Sequence, residues 1–324
     1  MPKLGYFFAE NCTLVRKMLI SGNLNEFSNQ KAWLTLGNFD GYHLGHQALV
    51  EKLVEAAHAD EALAGLITFW PHPKLVLNGE TGPFYLSLEH EKKALLNQSK
   101  LDFVVQFPFT KEFAGQSANE FIAKLTKHID IKSFVTGKDL TIGKNREGTI
   151  QSLKTLFESL EIKHITIPSL ILEETVVSSQ AVRNVLAKGD VALAKEFLGR
   201  NYAIDGIVTQ GKQVGSKFGF PTANLSFDRL KYLPKIGVYA TWAVVNHQRY
   251  AGVTNIGLRP TFGNALTPSI ETLLLDFDGN IYGEQLKVFF VKRIRDEKKF
   301  EGVQSLKDQI MHDKDQARRL LENE

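Results

Sequence analysis

Apolar residues in the first half of the chain recur in two alternating patterns. Short runs of β-branched and large apolar residues predict strands: KAWLTL (31–36), LAGLITF (63–69), FVVQF (103–107), IKSFVT (131–136) and KHITIP (163–168). Between them the period lengthens to that of a helix. HQALVEKLVEAAHA (46–59) puts Leu49, Leu53 and Ala57 on one face, and EHEKKALLNQ (89–98), SANEFIAKLTKH (117–128) and TIQSLKTLFESL (149–160) read likewise. In the third of these, Ser117 stands three residues before Glu120, the spacing of a capping box. Strand–helix alternation of this length predicts an α/β fold with an N-terminal doubly wound parallel sheet.

The period changes near residues 178–200. Two short helical patterns, SSQAVRNVLAK and DVALAKEFL, stop at Gly189 and Gly199, each placed as a terminating glycine. Period-two runs then follow at 202–210, 237–246, 249–256, 269–277 and 285–292, with turn residues Asn246-His247 and Asp278-Gly279-Asn280 between them. Closely spaced strands with one late helix at 303–321 predict a C-terminal small antiparallel β-barrel with a terminal helix. The domains expected are 1–186 and 187–324.

Bulk properties narrow the partners. A chain of 324 residues with 43% hydrophobic and 23% charged residues suits two globular domains. A net charge of +3 and a pI of about 8.7 suit an anionic small molecule. The one locally basic stretch, VKRIRDEKK (291–299), reads as a solvated strand end, so no nucleic-acid partner is expected. A lone cysteine, Cys12, excludes an intramolecular disulfide and a thiolate metal cluster. Glu10, Arg16 and Lys17 interrupt any signal-peptide core, and no apolar run reaches the ~20 residues that span a bilayer. A cytoplasmic location without membrane association is expected, and the oligomeric state is not indicated.

The densest chemistry lies in LGNFDGYHLGH (36–46). Gly37 ends a predicted strand and His46 opens a predicted helix, at the strand edge where open α/β folds bind ligands. Free N–H groups and the helix dipole attract phosphate there, and Gly45 permits close backbone approach. Two imidazole N–H donors could then stabilise developing charge. The alternatives are a metal pair, for which no further ligands are locally spaced, and a solvated polar loop.

GNFDGYHLGH resembles the nucleotidyltransferase signature of the bacterial bifunctional riboflavin kinase/FMN adenylyltransferase (FAD synthetase) family. The resemblance extends through ITFWPHP (67–73), FPFTKEFAGQSANEFI (107–122), TGKDLTIGKNREG (136–148) and VSSQAVRNVL (177–186). FGFPTANL (218–225), GVYA (237–240), NIGLRPTFG (255–263) and SIETLLLDF (269–277) are similar to the kinase half. The resemblance implies a Rossmann-like nucleotidyltransferase sheet that transfers AMP from ATP to FMN, and a riboflavin kinase-like barrel that phosphorylates riboflavin. It implies ATP, riboflavin, FMN and FAD as small-molecule partners, and the hardness of the oxygen ligands in the second half points to Mg²⁺ as cofactor.

For the first half the resemblance implies that His43 and His46 hold the ATP phosphates, that Gly37, Phe39 and Asp40 shape the loop, and that Ser178, Ser179 and Arg183 form a second phosphate-facing helix start. The alternative for Arg183 is a solvated helix arginine. Gln180 stands where the family has Thr. The family's GxDFxFG loop reads Gly137-Lys138-Asp139-Leu140-Thr141-Ile142-Gly143, keeping Asp139 and losing two aromatics, and Trp70 replaces an acidic residue.

In the second half, Gly211, Gly215 and Gly219 could wrap phosphate with backbone N–H groups, and Lys217 stands beside Ser216, which replaces the family's arginine. Pro221-Thr222-Ala223-Asn224 offers a hydroxyl and an amide, hard oxygen ligands suited to Mg²⁺. Glu271 alternates with Ile270 and shares a face with Leu273, which stands where the family has His. A carboxylate there acts as general base, or is simply held by Arg259 or Arg295. Arg295 and Asp296 are placed in a flap over the flavin. A kinase with a degenerate first domain, and a flavin-binding regulator, are the competing readings.

Overall fold

The computed structural model describes residues 18–211, 219–260, 266–322 and 324. Cys12, Gly215, Ser216 and Lys217 lie outside the described residues. The chain forms two compact units. One takes residues up to Gly37, Val50–Trp70 and Leu96–Thr166; the other takes Asn38–Leu49, Pro71–Leu95 and Ile167–Glu324.

The first unit is built on a six-stranded sheet of β1 (Leu19–Ser21), β2 (Lys31–Leu36), β3 (Leu63–Trp70), β4 (Phe103–Pro108), β5 (Asp130–Gly137) and β6 (Lys163–Ile167), in the order β1-β4-β3-β2-β5-β6. The pairings from β1 through to β5 are parallel. Strand order reverses between β2 and β5, so the topological switch point falls at the ends of these strands, Gly37 and Gly137. The continuous apolar runs are explained by burial: Leu34, Ile67, Val105 and Phe134 are all in one core cluster with Phe121, Leu125, Leu153 and Phe157. The last four project from α5 (Ala118–Thr126) and α6 (Ile150–Ser159). Ser117 and Glu120 form the capping box that their spacing predicts. Leu140 and Ile142, the two aliphatic replacements, pack on this core.

Helix α1 begins at Leu44, two residues earlier than its apolar pattern suggests, and runs to Ala59, with residues 44–49 counted in the second unit and 50–59 in the first. Next come α2 (Pro73–Asn78) and α3 (Glu89–Leu96), with α4 (Lys111–Ala114) following in the first unit. A hairpin of β7 (Ile171–Leu172) and β8 (Thr175–Val176) turns on Glu173 and Glu174, both at positive φ. No glycine or asparagine marks that turn, which is why the pattern misses it. Gly189 and Gly199 terminate α7 (Ser179–Lys188) and α8 (Val191–Leu198) in the left-handed conformation, as expected.

The barrel is closed in the order β10-β13-β12-β11-β14-β9, every pairing antiparallel. Its strands are β9 (Tyr202–Thr209), β10 (Ala223–Ser226), β11 (Gly237–Val245), β12 (Gln248–Pro260), β13 (Leu266–Leu274) and β14 (Gln285–Arg295). Closure removes exposed strand edges. Asn246 and His247 take positive φ and make the tight turn between β11 and β12. Strand β10 went unpredicted: it is four residues long, and Asn224 within it and Pro221 just before it are residue types depleted in strands. Asp278-Gly279-Asn280 proves to be part of a longer loop, since β13 starts earlier and stops at Leu274. Alternation splits β13 as anticipated. Ile270 and Leu274 enter the core cluster that holds Ile204, Val288 and Phe290, while Leu273 joins Val291, Ala317 and Leu321 under α9 (Val303–Leu321).

Candidate active sites

The histidine loop is held in a strained and buried form. Phe39 and Tyr42 both take positive φ, costly for aromatic residues, and both are buried. His43 stands just ahead of α1, and its carbonyl accepts from the amides of His46 and Gln47 at 2.8 and 3.0 Å. Its ring Nδ1 also accepts from the His46 amide at 3.3 Å. The imidazole therefore caps the helix in place of the usual Ser or Asp. Because Nδ1 is the acceptor, the proton of the neutral ring sits on Nε2. The rings of His43 and His46 stack at 3.6 Å, with Phe39 against His46 at 4.7 Å. Burial first, then Arg200, holds the His43 pKa down to about 4. Burial, with His43 and Lys92 behind it, pushes His46 well below the ordinary range, and its buried Nδ1 has no partner. Both rings are neutral at physiological pH.

The start of α7 is bonded directly to this loop. Ser178 caps α7 through the Ala181 amide at 3.2 Å, and Ser179 Oγ donates to the Asp40 carbonyl at 2.8 Å. Gly45 makes the approach possible, since a Cβ there would stand 3.2 Å from His43 Nδ1 and 3.3 Å from the Val177 carbonyl. Arg183 is no solvated helix arginine. It is 8% exposed, pairs with Asp40, donates from Nε to the Phe84 carbonyl at 2.9 Å and lies 4.4 Å from the Phe84 ring centre. Asp40 also accepts from the amides of Ser87 at 3.0 Å and Leu86 at 3.3 Å. Burial pushes its carboxyl up, while Arg183, these amides and Lys231 pull it back.

Two further basic residues, Arg200 and Lys92, bear on the loop, and a third, His72, feels the charges of Arg183 and Lys92; sequence reading did not find them. Arg200 donates to the carbonyls of Gly41 and Tyr42 at 2.6 and 3.1 Å, and burial lowers its pKa to about 10. Lys92, 3% exposed, reaches the Asn38 carbonyl at 3.4 Å, and burial lowers it to about 8. His72 takes the N-cap of α2 and is lowered to about 3, by burial first and then by Arg183. Lys92 falls in EHEKKALLNQ, which reads only as a helix, and nothing in the sequence marks Arg200. The local balance of Arg183, Arg200 and Lys92 against Asp40 favours an anionic ligand. Gly37 and the exposed Asp139 lie in the first unit, at and just beyond the switch-point strand ends.

In the barrel, β10 and β13 set Asn224 opposite Glu271, and β12 sets Asn255 opposite Glu271 on the other side. Thr222 Oγ1 donates to Glu271 Oε2 at 3.3 Å. The Arg259 guanidinium meets Glu271 Oε1 at 2.5 Å and donates to Asn224 Oδ1 as well. Of the two arginines weighed for Glu271, Arg259 is the one that holds it. Arg295 donates instead to Asp313 of α9, at 2.7 to 3.1 Å. Among the described contacts, none joins Arg295 to Glu271. Gly211 packs directly on Asn224, Gly219 adopts a positive φ, and a cavity of about 120 Å³ opens beside Pro221 and Thr222, with Phe277 and Tyr282 on its wall. Thr222 Oγ1, Asn224 Oδ1 and the Glu271 carboxylate are hard oxygens, and two of them already gather round one cationic group. That donor set fits a hard divalent cation.

A nucleotidyltransferase-like parallel sheet joined to a closed six-stranded kinase-like barrel defines a two-centre, phosphorus-handling enzyme. Family models match both parts: "FAD synthetase" over residues 25–181 and "Riboflavin kinase" over residues 198–321. The bifunctional riboflavin kinase/FMN adenylyltransferase of Bacillus subtilis (strain 168) is 37% identical over 298 residues, 90% of this chain and 93% of that protein. The Escherichia coli (strain K12) protein of the same description is 35% identical over 299 residues, 91% and 95% of the two chains. The chain belongs to the bacterial bifunctional riboflavin kinase/FMN adenylyltransferase family, and its activity is that of a riboflavin kinase and FAD synthetase. A crystal structure described as a macrolide-efflux protein from Streptococcus pneumoniae superposes with a TM-score of 0.84 at 30% identity, covering 93% of this chain and 99% of that one. Among the described residues no helix is long and apolar enough to cross a membrane.

Proposed function

We propose that residues 1–186 carry the adenylylation of FMN and residues 187–324 the phosphorylation of riboflavin, with Glu271 as the base of the second reaction. Glu271 accepts the proton of the riboflavin 5′-hydroxyl as that oxygen attacks the γ-phosphorus of ATP. The bond to the β-phosphate oxygen breaks, and ADP leaves. Thr222 and Asn224 would hold Mg²⁺, which when bound supplies charge neutralisation at the phosphate oxygens. Gly211, Gly219 and Pro221 stand beside these ligands where ATP phosphates would lie, and the cavity beside Thr222 offers aromatic walls to a ring system. The enzyme works in the cytoplasm, with ATP, riboflavin and FMN as its small-molecule partners.

In the other reaction an FMN phosphate oxygen attacks the α-phosphorus of ATP in line, and pyrophosphate leaves with the electron pair. His43 donates from Nε2–H to the phosphates, and His46, Arg183 and the α1 amides add to a preorganised anion site. Ser178, Ser179, Phe39, Asp40 and Gly45 keep these donors aimed, and Gly37 and Asp139 line the switch-point edge. One observation carries this division. Thr222, Asn224, Arg259 and Glu271 form one hydrogen-bonded cluster, and Asp40, in the same loop as the stacked histidines, forms a separate one with Ser179 and Arg183.

The test follows FMN and FAD separately by chromatography. Glu271→Gln is expected to stop FMN formation from riboflavin while FAD still forms from supplied FMN. Persistent FMN formation, or loss of both reactions in a folded protein, overturns the assignment.

A further inference from the structure

Lys231 lies between β10 and β11, inside the stretch matched by the riboflavin kinase model. It is 3% exposed. Its Nζ donates to the two Glu91 oxygens at 2.8 and 2.6 Å and to the Leu86 carbonyl at 2.8 Å. An ammonium carries three N–H donors, and these three bonds engage all of them. The main chain beside it is joined to the same segment. The amides of Phe84 and Tyr85 donate to the Leu230 carbonyl, and the Tyr232 amide donates to the Tyr85 carbonyl, each at 2.8 Å.

Residues 84–87 thus form a strip with two engaged sides. On one side are Leu230, Lys231 and Tyr232. On the other, the Leu86 and Ser87 amides hold the Asp40 carboxylate, and the Phe84 carbonyl holds Arg183 Nε. Asp40 and Arg183 are themselves paired, and Asp40 lies in the histidine loop. Glu91 also accepts from the Leu88 amide at 2.7 Å, which closes the far end of the strip. Among the described contacts none links Lys231 to Thr222, Asn224 or Glu271. A buried charge is costly unless paired, so this lysine's position is fixed by the strip it serves. A fully satisfied buried network enforces one geometry.

We propose that Lys231, although part of the kinase half by sequence, is a positioning residue for adenylyl transfer: through Leu86 and Glu91 it fixes the strip that aims Asp40 and Arg183, and with them the histidine loop. The proposal rests on the reading of that loop as the adenylylation site. It implies that a barrel residue sets the rate of FAD formation without taking part in riboflavin phosphorylation.

The experiment measures both reactions on the same full-length preparations. Lys231→Met leaves Glu91 buried without its partner, so the double variant Lys231→Met/Glu91→Leu accompanies it and removes both charges together. In the double variant kcat for FAD formation from supplied FMN is expected to fall about tenfold or more, because small displacements of catalytic groups are expensive. The KM for ATP changes less than kcat, and riboflavin phosphorylation stays within about twofold of the native rate. Adding Asp40→Asn to the double variant is expected to cost no more than Asp40→Asn alone, since both act through one network. Native FAD formation in the folded double variant overturns the proposal, as does a parallel fall in both reactions. If Asp40→Asn itself makes FAD at the native rate, the site reading fails; a dead Asp40→Asn beside a fully active double variant overturns the role of Lys231 alone.

Discussion

Placing a single methyl group at residue 211 should separate the two activities. A Cβ on Gly211 would fall 2.2 Å from Asn224 Nδ2, 2.5 Å from its Cγ and 2.8 Å from its Oδ1. To reach ordinary van der Waals contact the amide must move by about 1 Å. It can do so, because the clashing atoms are the end of a side chain rather than backbone, so Gly211→Ala should fold. What it loses is geometry. Asn224 Oδ1 leaves the Arg259 guanidinium, and Nδ2 leaves the Thr222 carbonyl, 3.4 Å away in the native protein. Misplacing a group at a reacting centre by this distance costs about a hundredfold in rate, or about 2.7 kcal/mol of transition-state stabilisation. Riboflavin phosphorylation under saturating MgATP should therefore fall about a hundredfold in kcat. FAD formation from supplied FMN should hold, because the atoms nearest to a Cβ on Gly211 all belong to Asn224, which is proposed to serve the other reaction. A Gly211→Ala protein that phosphorylates riboflavin within about threefold of the native rate would refute the placement of Asn224 at the reacting phosphates.

Two further predictions concern buried charge. His43 has a pKa of about 4 in the folded protein against 6.5 in its free state. Above pH 6.5 both states are neutral and the full stability is present. As pH falls below 6.5 the unfolded chain binds a proton that the folded chain refuses, so stability declines until about pH 4, where the folded ring protonates too. The loss amounts to about 3 kcal/mol. His43→Asn, whose side-chain oxygen can still cap α1, should flatten the fall of Tm between pH 6.5 and 4 and stop FAD formation; an unchanged slope in the variant would count against burial as the cause. Arg295→Met should strand Asp313, which is 2% exposed and receives three bonds from that guanidinium. Leaving a buried carboxylate unpaired costs about 3–5 kcal/mol, readable as a drop in the urea midpoint, and a change under about 1 kcal/mol would show that the pair does not anchor α9.

The sheet and barrel were legible because burial writes itself into the sequence. Strands β2 to β5 are covered on both faces and so read as unbroken apolar runs, and β13 alternates because its two sides meet different cores. Glycine and histidine at a strand–helix junction likewise flagged the loop at 37–46. Elements were missed where the local chemistry points elsewhere: β10 is four residues long and carries Asn224 with Pro221 just ahead of it, and the hairpin at 171–176 turns on two glutamates. Arg183 and Arg295 were assigned to ligands from resemblance, yet each has a buried carboxylate partner distant in the chain, Asp40 for one and Asp313 for the other.

A common physical reason lies behind the buried cations that escaped notice. Arg200, Lys92 and Lys231 all donate to main-chain carbonyls, of Gly41 and Tyr42, of Asn38 and of Leu86. Every residue type supplies a carbonyl, so such a contact leaves no mark on its acceptor, and its donor looks like any surface lysine or arginine. The groups that touch substrate are constrained in type by their chemistry and cluster in short motifs. The groups that aim them are constrained only by place, and they come from wherever the fold brings a long cation to an unsatisfied oxygen. In this enzyme that place is the histidine loop, whose strained turns at Phe39 and Tyr42 turn carbonyls away from regular secondary structure. Under the proposed reading of this loop, the buried cations that hold its carbonyls position the imidazoles for adenylyl transfer.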